Sequence, residues 1–260
     1  MGDSWKNNRL VLDIQEMIAL HRKGGIPQLN ERIFITSTTA RELFFLKDRG
    51  SAKYNYWIPE PHISESLLGE GGMVALRYFR EAYARRSRQD RDRVHFYFGT
   101  DYPPVIESGH RSVAFLVNAN ASRVIKECAK PLGRERRRIV KSRIDFLSAA
   151  SVECIPLVDR SAGLALPLFH EFAKRYTLKA DFQNSLNDIL VLALSQYHSL
   201  PMKTRDKVLA DFAQEVLGAA IELNSSALKI SPRNLGGDRS RFFESKGYIN
   251  KGWRVSRSWR

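Results

Sequence analysis

Cysteine is almost missing from this chain. Cys128 and Cys154 are the only two in 260 residues, too few for a disulfide framework or a cysteine-built zinc site. Two such residues read as small core side chains in a reducing, cytoplasmic-type compartment. Long apolar runs are missing as well. No stretch approaches the roughly 18 residues of a membrane-spanning helix, and Met1 to Arg9 has no apolar core of the signal-peptide kind. His62, His95, His110, His170 and His198 are scattered, with no pair at metal-ligand spacing. Internal repeats and low-complexity tracts are absent. Negative charge is in deficit: 28 Asp and Glu against 42 Lys and Arg leave a net +14. Such an excess gathers polyanions, nucleic acid foremost, and a membrane is not expected as a partner.

What is present is an ordinary apolar share, 43%, enough to bury a sizeable core. Leu10-Val-Leu-Asp13 reads as a short strand leading into a helix from Ile14 to Arg22, which Gly24-Gly25 ends. Ile33 to Ile35 is a second strand and Ala40 to Lys47 a second helix. A helical stretch is expected over 72–93, then a strand at Val94 to Phe98. Ser112 to Val117 is a strand or a short buried helix, which periodicity leaves open. A charged helix runs from Leu132 to Ala150, a strand over Val152 to Leu157, and a helix over Asp159 to Tyr176 that Pro167 kinks or restarts. Lys207 to Leu223 is amphipathic. Strands separated by helices predict an α/β fold with a parallel sheet covered on both faces. Residues 1–50 and 142–225 form its core, 51–141 a mainly helical insertion, and 226–260 a basic, aromatic tail.

Four acids stand at the ends of strands or the starts of helices: Asp13, Glu42, Asp188 and Asp206. Each has a structural explanation. Glu42 follows Thr39, and Asp188 follows Ser185, at capping-box spacing; Asp206 and Asp13 suit helix N-caps. Together they suggest more. In open α/β sheets ligands collect at the carboxyl ends of the strands. Carboxylates brought together there repel and take up protons unless a cation sits among them. Mg²⁺ or Mn²⁺ suits an all-oxygen site, polarises a phosphodiester and activates a bound water.

Leu10-Val-Leu-Asp13, Glu42-Leu43, Asn187-Asp188-Ile-Leu-Val-Leu-Ala193 and Lys203-Thr-Arg-Asp206 resemble the motifs of PIN-domain nucleases, as does the stretch from Ile155 to Lys179. The resemblance covers about 9–47 and 152–220, under half of the chain. It implies a three-layer α/β/α sandwich and hydrolysis of single-stranded or structured RNA. It also implies that Asp13, Glu42, Asp188 and Asp206 hold Mg²⁺ or Mn²⁺, with Thr204 as the small hydroxyl residue before the last acid. Two departures stand out. Ile14-Gln15 replaces the Thr-Asn or Ser-Asn common after the first aspartate, and the interval from Glu42 to Asp188 is long, hence the insertion.

Basic side chains gather at 77–93, including Arg85 and Arg86, at 134–143, including Arg136, Arg137 and Arg138, and in the tail. There Arg241 and Arg254 interleave with Phe242, Tyr248 and Trp253. Cations with aromatic rings suit a single strand, the cations meeting phosphates and the rings stacking on bases. The expectation is therefore a metal-dependent ribonuclease. The alternatives are a structure-selective DNA nuclease and a non-catalytic nucleic-acid-binding component of an assembly. A regulatory protein partner or a homo-oligomer is compatible with all three.

Overall fold

The computed structural model describes residues 9–24, 31–47, 54–60, 92–224, 227–232 and 253–257. Its elements are β1 (Arg9–Leu12), α1 (Ile14–Arg22), β2 (Arg32–Thr36), α2 (Ser37–Leu43), β3 (Arg93–Phe98), β4 (Val105–Ser108), α3 (His110–Asn118), α4 (Ser122–Cys128) and α5 (Arg134–Ala149). Then come β5 (Glu153–Ile155), α6 (Asp159–Arg175), α7 (Phe182–Tyr197), β6 (Met202–Thr204), α8 (Lys207–Leu217), β7 (Ala220–Asn224), β8 (Ala227–Ser231) and β9 (Trp253–Arg257).

The larger sheet runs β5-β2-β1-β6-β8-β7. Its first four strands are parallel, while β8 pairs antiparallel with both β6 and β7. The expected wholly parallel sheet is thus a mixed one. The reason is local: β7 and β8 are consecutive and joined by a short connection, which permits only an antiparallel pair. That hairpin also assigns Ala227–Ser231 to the central sheet rather than to a tail.

The period-2 alternation of strands splits the core in two. Leu10 and Leu12 of β1, with Ile33 and Ile35 of β2, face a cluster built from α1 to α5. Val11, Met202 and Ile230 face the opposite cluster, built from α6, α7 and α8. Val11, Leu12 and Ile35 are fully buried, each worth about 1.5–3 kcal/mol in water-excluded surface. The result is an α/β protein with helices on both faces of a mixed sheet.

Ser112 to Val117 resolves as helix α3, not a strand. Its Val113, Ala114 and Leu116 pack in the same cluster as Leu10, Leu12 and Ile35, so this part of 51–141 belongs to the common core. Helix α5 runs across the expected boundary at 141, and α6 continues through Pro167. Strand β3 pairs with both β4 and β9 in a separate antiparallel sheet, order β4-β3-β9. The expected helix over 72–93, with Arg85 and Arg86, lies outside the described residues except for its last two positions; Arg93 opens β3.

β9 corrects one expected role. Trp253 is buried, not offered to a base. Its ring meets Phe98 at 5.1 Å and His170 at 4.8 Å, and its Nε1 donates to Asp101 Oδ2 at 3.0 Å. An indole is a large apolar surface with one donor, and here protein groups meet both needs. Arg254, one residue on, stays exposed with its guanidinium 4.8 Å above the Tyr97 ring. Arg241 lies outside the described residues.

Candidate acidic site at the carboxyl edge of the sheet

β1 and β6 lie side by side, with Leu12 opposite Lys203, and the Asp13 N–H donates to the Lys203 carbonyl at 3.2 Å. This pairing sets Asp13 against Thr204. The Thr204 hydroxyl, fully buried, donates to Asp13 Oδ2 and accepts from the Asp206 N–H at 3.0 Å. Asp13 also caps α1, accepting from the Glu16 N–H at 2.7 Å, and Asp206 caps α8, accepting from Leu209 N–H at 3.1 Å. Both capping expectations hold. In each case the second carboxylate oxygen is engaged elsewhere in the site.

The other two capping expectations fail. Helix α2 starts at Ser37, and its cap is Thr36, which accepts from Thr39 N–H. Glu42 therefore sits in the last turn, not the first. There an acid opposes the helix dipole, and Asn187 Nδ2 donates to its Oε1 at 2.6 Å. Helix α7 starts at Phe182 with Asp181 as cap, so Asp188 lies nearly two turns inside. Ser185 caps nothing of Asp188; its hydroxyl accepts from the Lys179 N–H at 3.0 Å. Helix capping explains neither Glu42 nor Asp188.

Lys179 joins the set. Its ammonium lies 2.5 Å from Asp188 Oδ2 and 3.2 Å from Asp206 Oδ2. A chain of contacts thus runs Asp13, Thr204, Asp206, Lys179, Asp188, and Glu42 adjoins it through Asn187. Burial raises the Asp13 carboxyl above its ordinary range, against the Glu16 N–H and Thr204 hydroxyl bonds. Burial also pushes Asp188 up to about 7; Lys179 pulls it down, while the charges of Glu42 and Asp206 push it further up. For Lys179 burial acts downward, but the bonds and charges of Asp188 and Asp206 prevail and raise it. The two partners therefore differ in what the bridge does for them. The ammonium is 45% exposed and keeps its charge, whereas the carboxylate, 26% exposed, is stripped of water by more than one lysine offsets.

The donor set suits a hydrated hard cation. Among the described residues no three His, Cys, Asp or Glu side chains cluster tightly enough to form a closed metal site. Mg²⁺ does not need one, since it keeps several waters and takes one or two carboxylates. A divalent ion would favour the charged form of Asp188, which burial and, to a lesser degree, Glu42 and Asp206 disfavour.

Asp188 and Glu42 line a cavity of about 340 Å³. Its far wall carries a buried network. Arg41 pairs with Glu107 and lies 2.7 Å from His110 Nε2, and Ser37 Oγ lies 2.8 Å from His110 Nδ1 while accepting from Leu157 N–H. Lys47 lies 3.5 Å from Glu107. Burial, and then Arg41 and Lys47, depress the His110 imidazole well below its ordinary range. The unfolded chain therefore binds the extra proton first as pH falls below about 6.5, and stability is lost over that window. Melting should drop between about pH 7.5 and pH 5, and His110→Gln should flatten the part that this ring contributes. An unchanged pH profile in the variant would remove His110 from the account.

Lys179, Asn187 and the Arg41 network were not apparent from sequence. Their partners lie up to 145 residues away, beyond any local pattern. Arg136, Arg137 and Arg138 are exposed on α5, as expected of a basic face. Comparison with models of known protein families, with curated proteins and with solved structures finds no match.

Proposed function

We propose that this chain is a PIN-like, metal-dependent ribonuclease acting at the carboxyl ends of β1 and β6. The observation that carries this reading is the chain of contacts from Asp13 through Thr204, Asp206 and Lys179 to Asp188. It joins three acids far apart in sequence at one sheet edge, with Glu42 adjoining through Asn187, and Asp188 and Glu42 have no capping role. When bound, Mg²⁺ or Mn²⁺ would polarise the phosphodiester and lower the pKa of a water. Asp13, Asp188 and Asp206 would hold it, with Glu42 alongside. Thr204 fixes the Asp13 carboxylate and the backbone of Asp206 in one register. Asn187 fixes Glu42. Lys179, freed from its bridge, is a cation at hand for the charge of a phosphate.

The long interval between Glu42 and Asp188 carries core elements as well as the proposed insertion, and the exposed arginines of α5 supply a phosphate-binding face. RNA is favoured over duplex DNA because the cations lining the cavity beside Asp188 stand with the ring of Phe45, a combination suited to an unpaired base and its phosphate.

A second reading rests on one observation. Lys179 already neutralises Asp188 and Asp206, as in a nucleic-acid-binding component whose acids are purely structural. Incubating end-labelled RNA and DNA of one sequence with the protein, in Mg²⁺, Mn²⁺ or EDTA, separates the readings. RNA cleavage in metal and none in EDTA supports the ribonuclease. DNA cleavage alone transfers the chemistry to a DNA nuclease, and binding without cleavage in any condition supports the component.

A further inference from the structure

The cavity beside Asp188 has a second chemical character. Its lining mixes both signs, Arg41, Lys47, Arg143 and Lys179 with Glu42, Glu107, Asp181 and Asp188, beside the ring of Phe45. At about 340 Å³ it falls at the small end of the range for small-molecule sites, roughly 300–1,000 Å³. It is a space for one nucleotide unit, not for a duplex.

Three features mark it as built for an occupant. Thr38 Oγ1, Arg41 Nε and Arg143 Nε are buried with no hydrogen-bond partner among the described residues. Thr38 and Arg41, both lining the cavity, are only 4% and 6% exposed. A buried polar atom left unsatisfied costs about 1–3 kcal/mol. The second feature is Phe45. It follows the C-cap of α2 at φ 54, a left-handed position where helices ordinarily use glycine. A bulky residue there is strained by about 1–2 kcal/mol. Glycine would close the helix at lower cost, so the ring serves beyond the turn: part of it packs against the core cluster and part lines the cavity. The third is what the ring meets. Arg143, anchored by a 2.7 Å bond to the Leu43 carbonyl, holds its guanidinium 4.7 Å from the ring centroid, and Arg136 lies at 5.8 Å. Seven residues apart on α5, these two link the exposed basic face to the cavity mouth.

We propose that the cavity is a subsite for one unpaired nucleotide of a single strand, its base stacking on Phe45 and its backbone phosphate meeting Arg143 and Lys47. Its place next to the scissile bond rests on the ribonuclease reading above. Aromatic faces accept any base, so the subsite selects for an unpaired nucleotide rather than for a sequence. Glu42 and Asp188 repel phosphate, which turns the backbone toward Arg143 and Lys47. Lys47, which burial and then Arg41 bring down to about 8, gains most from a new anion.

The test is binding in EDTA, where no metal-dependent cleavage occurs. The probe is a fluorescein-labelled uridine octamer, with a perfectly paired hairpin as competitor. Phe45→Gly should weaken octamer binding by about 5- to 150-fold, the span of one lost stacked base. Its melting temperature should hold or rise, because the left-handed strain is gone. Phe45→Trp should retain affinity, and the hairpin should compete poorly. An octamer carrying 5-iodouridine, irradiated on the wild-type protein, should crosslink to the peptide that contains Phe45, a readout that needs no variant to fold. Undiminished binding by Phe45→Gly, or crosslinks confined to other peptides, would overturn the subsite. Intact Phe45-dependent binding in a protein that cleaves nothing would instead sink only the ribonuclease reading.

Discussion

Asp188→Asn should remove RNA cleavage by more than the 10- to 100-fold typical of losing a partner outside the metal shell, and it should do so without destabilising the metal-free protein. The sign follows from the raised Asp188 carboxyl, about 7 against an ordinary 3.8. A carboxyl raised on folding binds its proton more tightly in the folded state, so ionising it costs stability progressively from about pH 4 to pH 7. Above pH 7 the cost is fully present. Asparagine keeps the shape and removes the charge, so at about pH 8 in EDTA the variant should melt at or above the wild type. Near pH 4 that advantage should vanish. A variant that loses activity and also melts well below the wild type at pH 8 would make Asp188 an ordinary structural ion-pair partner of Lys179.

The largest stability effect is expected on the opposite wall of the cavity. Glu107→Ala leaves the Arg41 guanidinium buried without its carboxylate. Breaking a buried pair in this way costs about 3–5 kcal/mol. For a chain of this size each kcal/mol lowers the melting temperature by roughly 2–4 °C, so the drop should reach about 6–20 °C. Removing both charges tells a cavity from an orphaned charge: Arg41→Met with Glu107→Leu should melt higher than either single substitution. If the double variant is as unstable as Glu107→Ala, the loss comes from packing and the ion pair is incidental. Phosphate-bearing ligands should also bind differently to these proteins, because Arg41 and Lys47 line the cavity that Glu107 neutralises.

The strands β1 and β2 could be read from sequence because Leu10-Val-Leu and Ile33-Phe-Ile are short apolar runs buried on both faces, a pattern that burial in a covered sheet imposes. Asp13 at the end of β1 is legible for the same reason: chemistry at a strand terminus follows from where the strand stops. The start of α2 is ambiguous in sequence because Thr36 and Thr39 offer equivalent caps, and Thr39 to Glu42 reproduces capping-box spacing. Thr36 wins because β2 ends there and the turn follows at once. Asp188 was assigned to a helix start for a similar reason, Ser185 masking the true cap at Asp181. Trp253 reads from sequence as part of a binding tail, since nothing local reveals that it pairs with the distant Phe98 of β3. Lys179 is the site residue that sequence hides most completely. A lysine in a polar loop is unremarkable until the tertiary fold sets it between Asp188 and Asp206.

The central claim is that this acidic edge takes up a divalent cation, Lys179 giving way to it. Titrating Mn²⁺ into the purified, EDTA-stripped protein and following free Mn²⁺ by electron paramagnetic resonance measures that directly. The account predicts saturable uptake by the wild type, lost in the Asp13→Asn/Asp188→Asn double variant and tightened in Lys179→Met, where the competing ammonium is gone. Equal uptake by the wild type and the double variant, or none by either wild type or Lys179→Met, would contradict it.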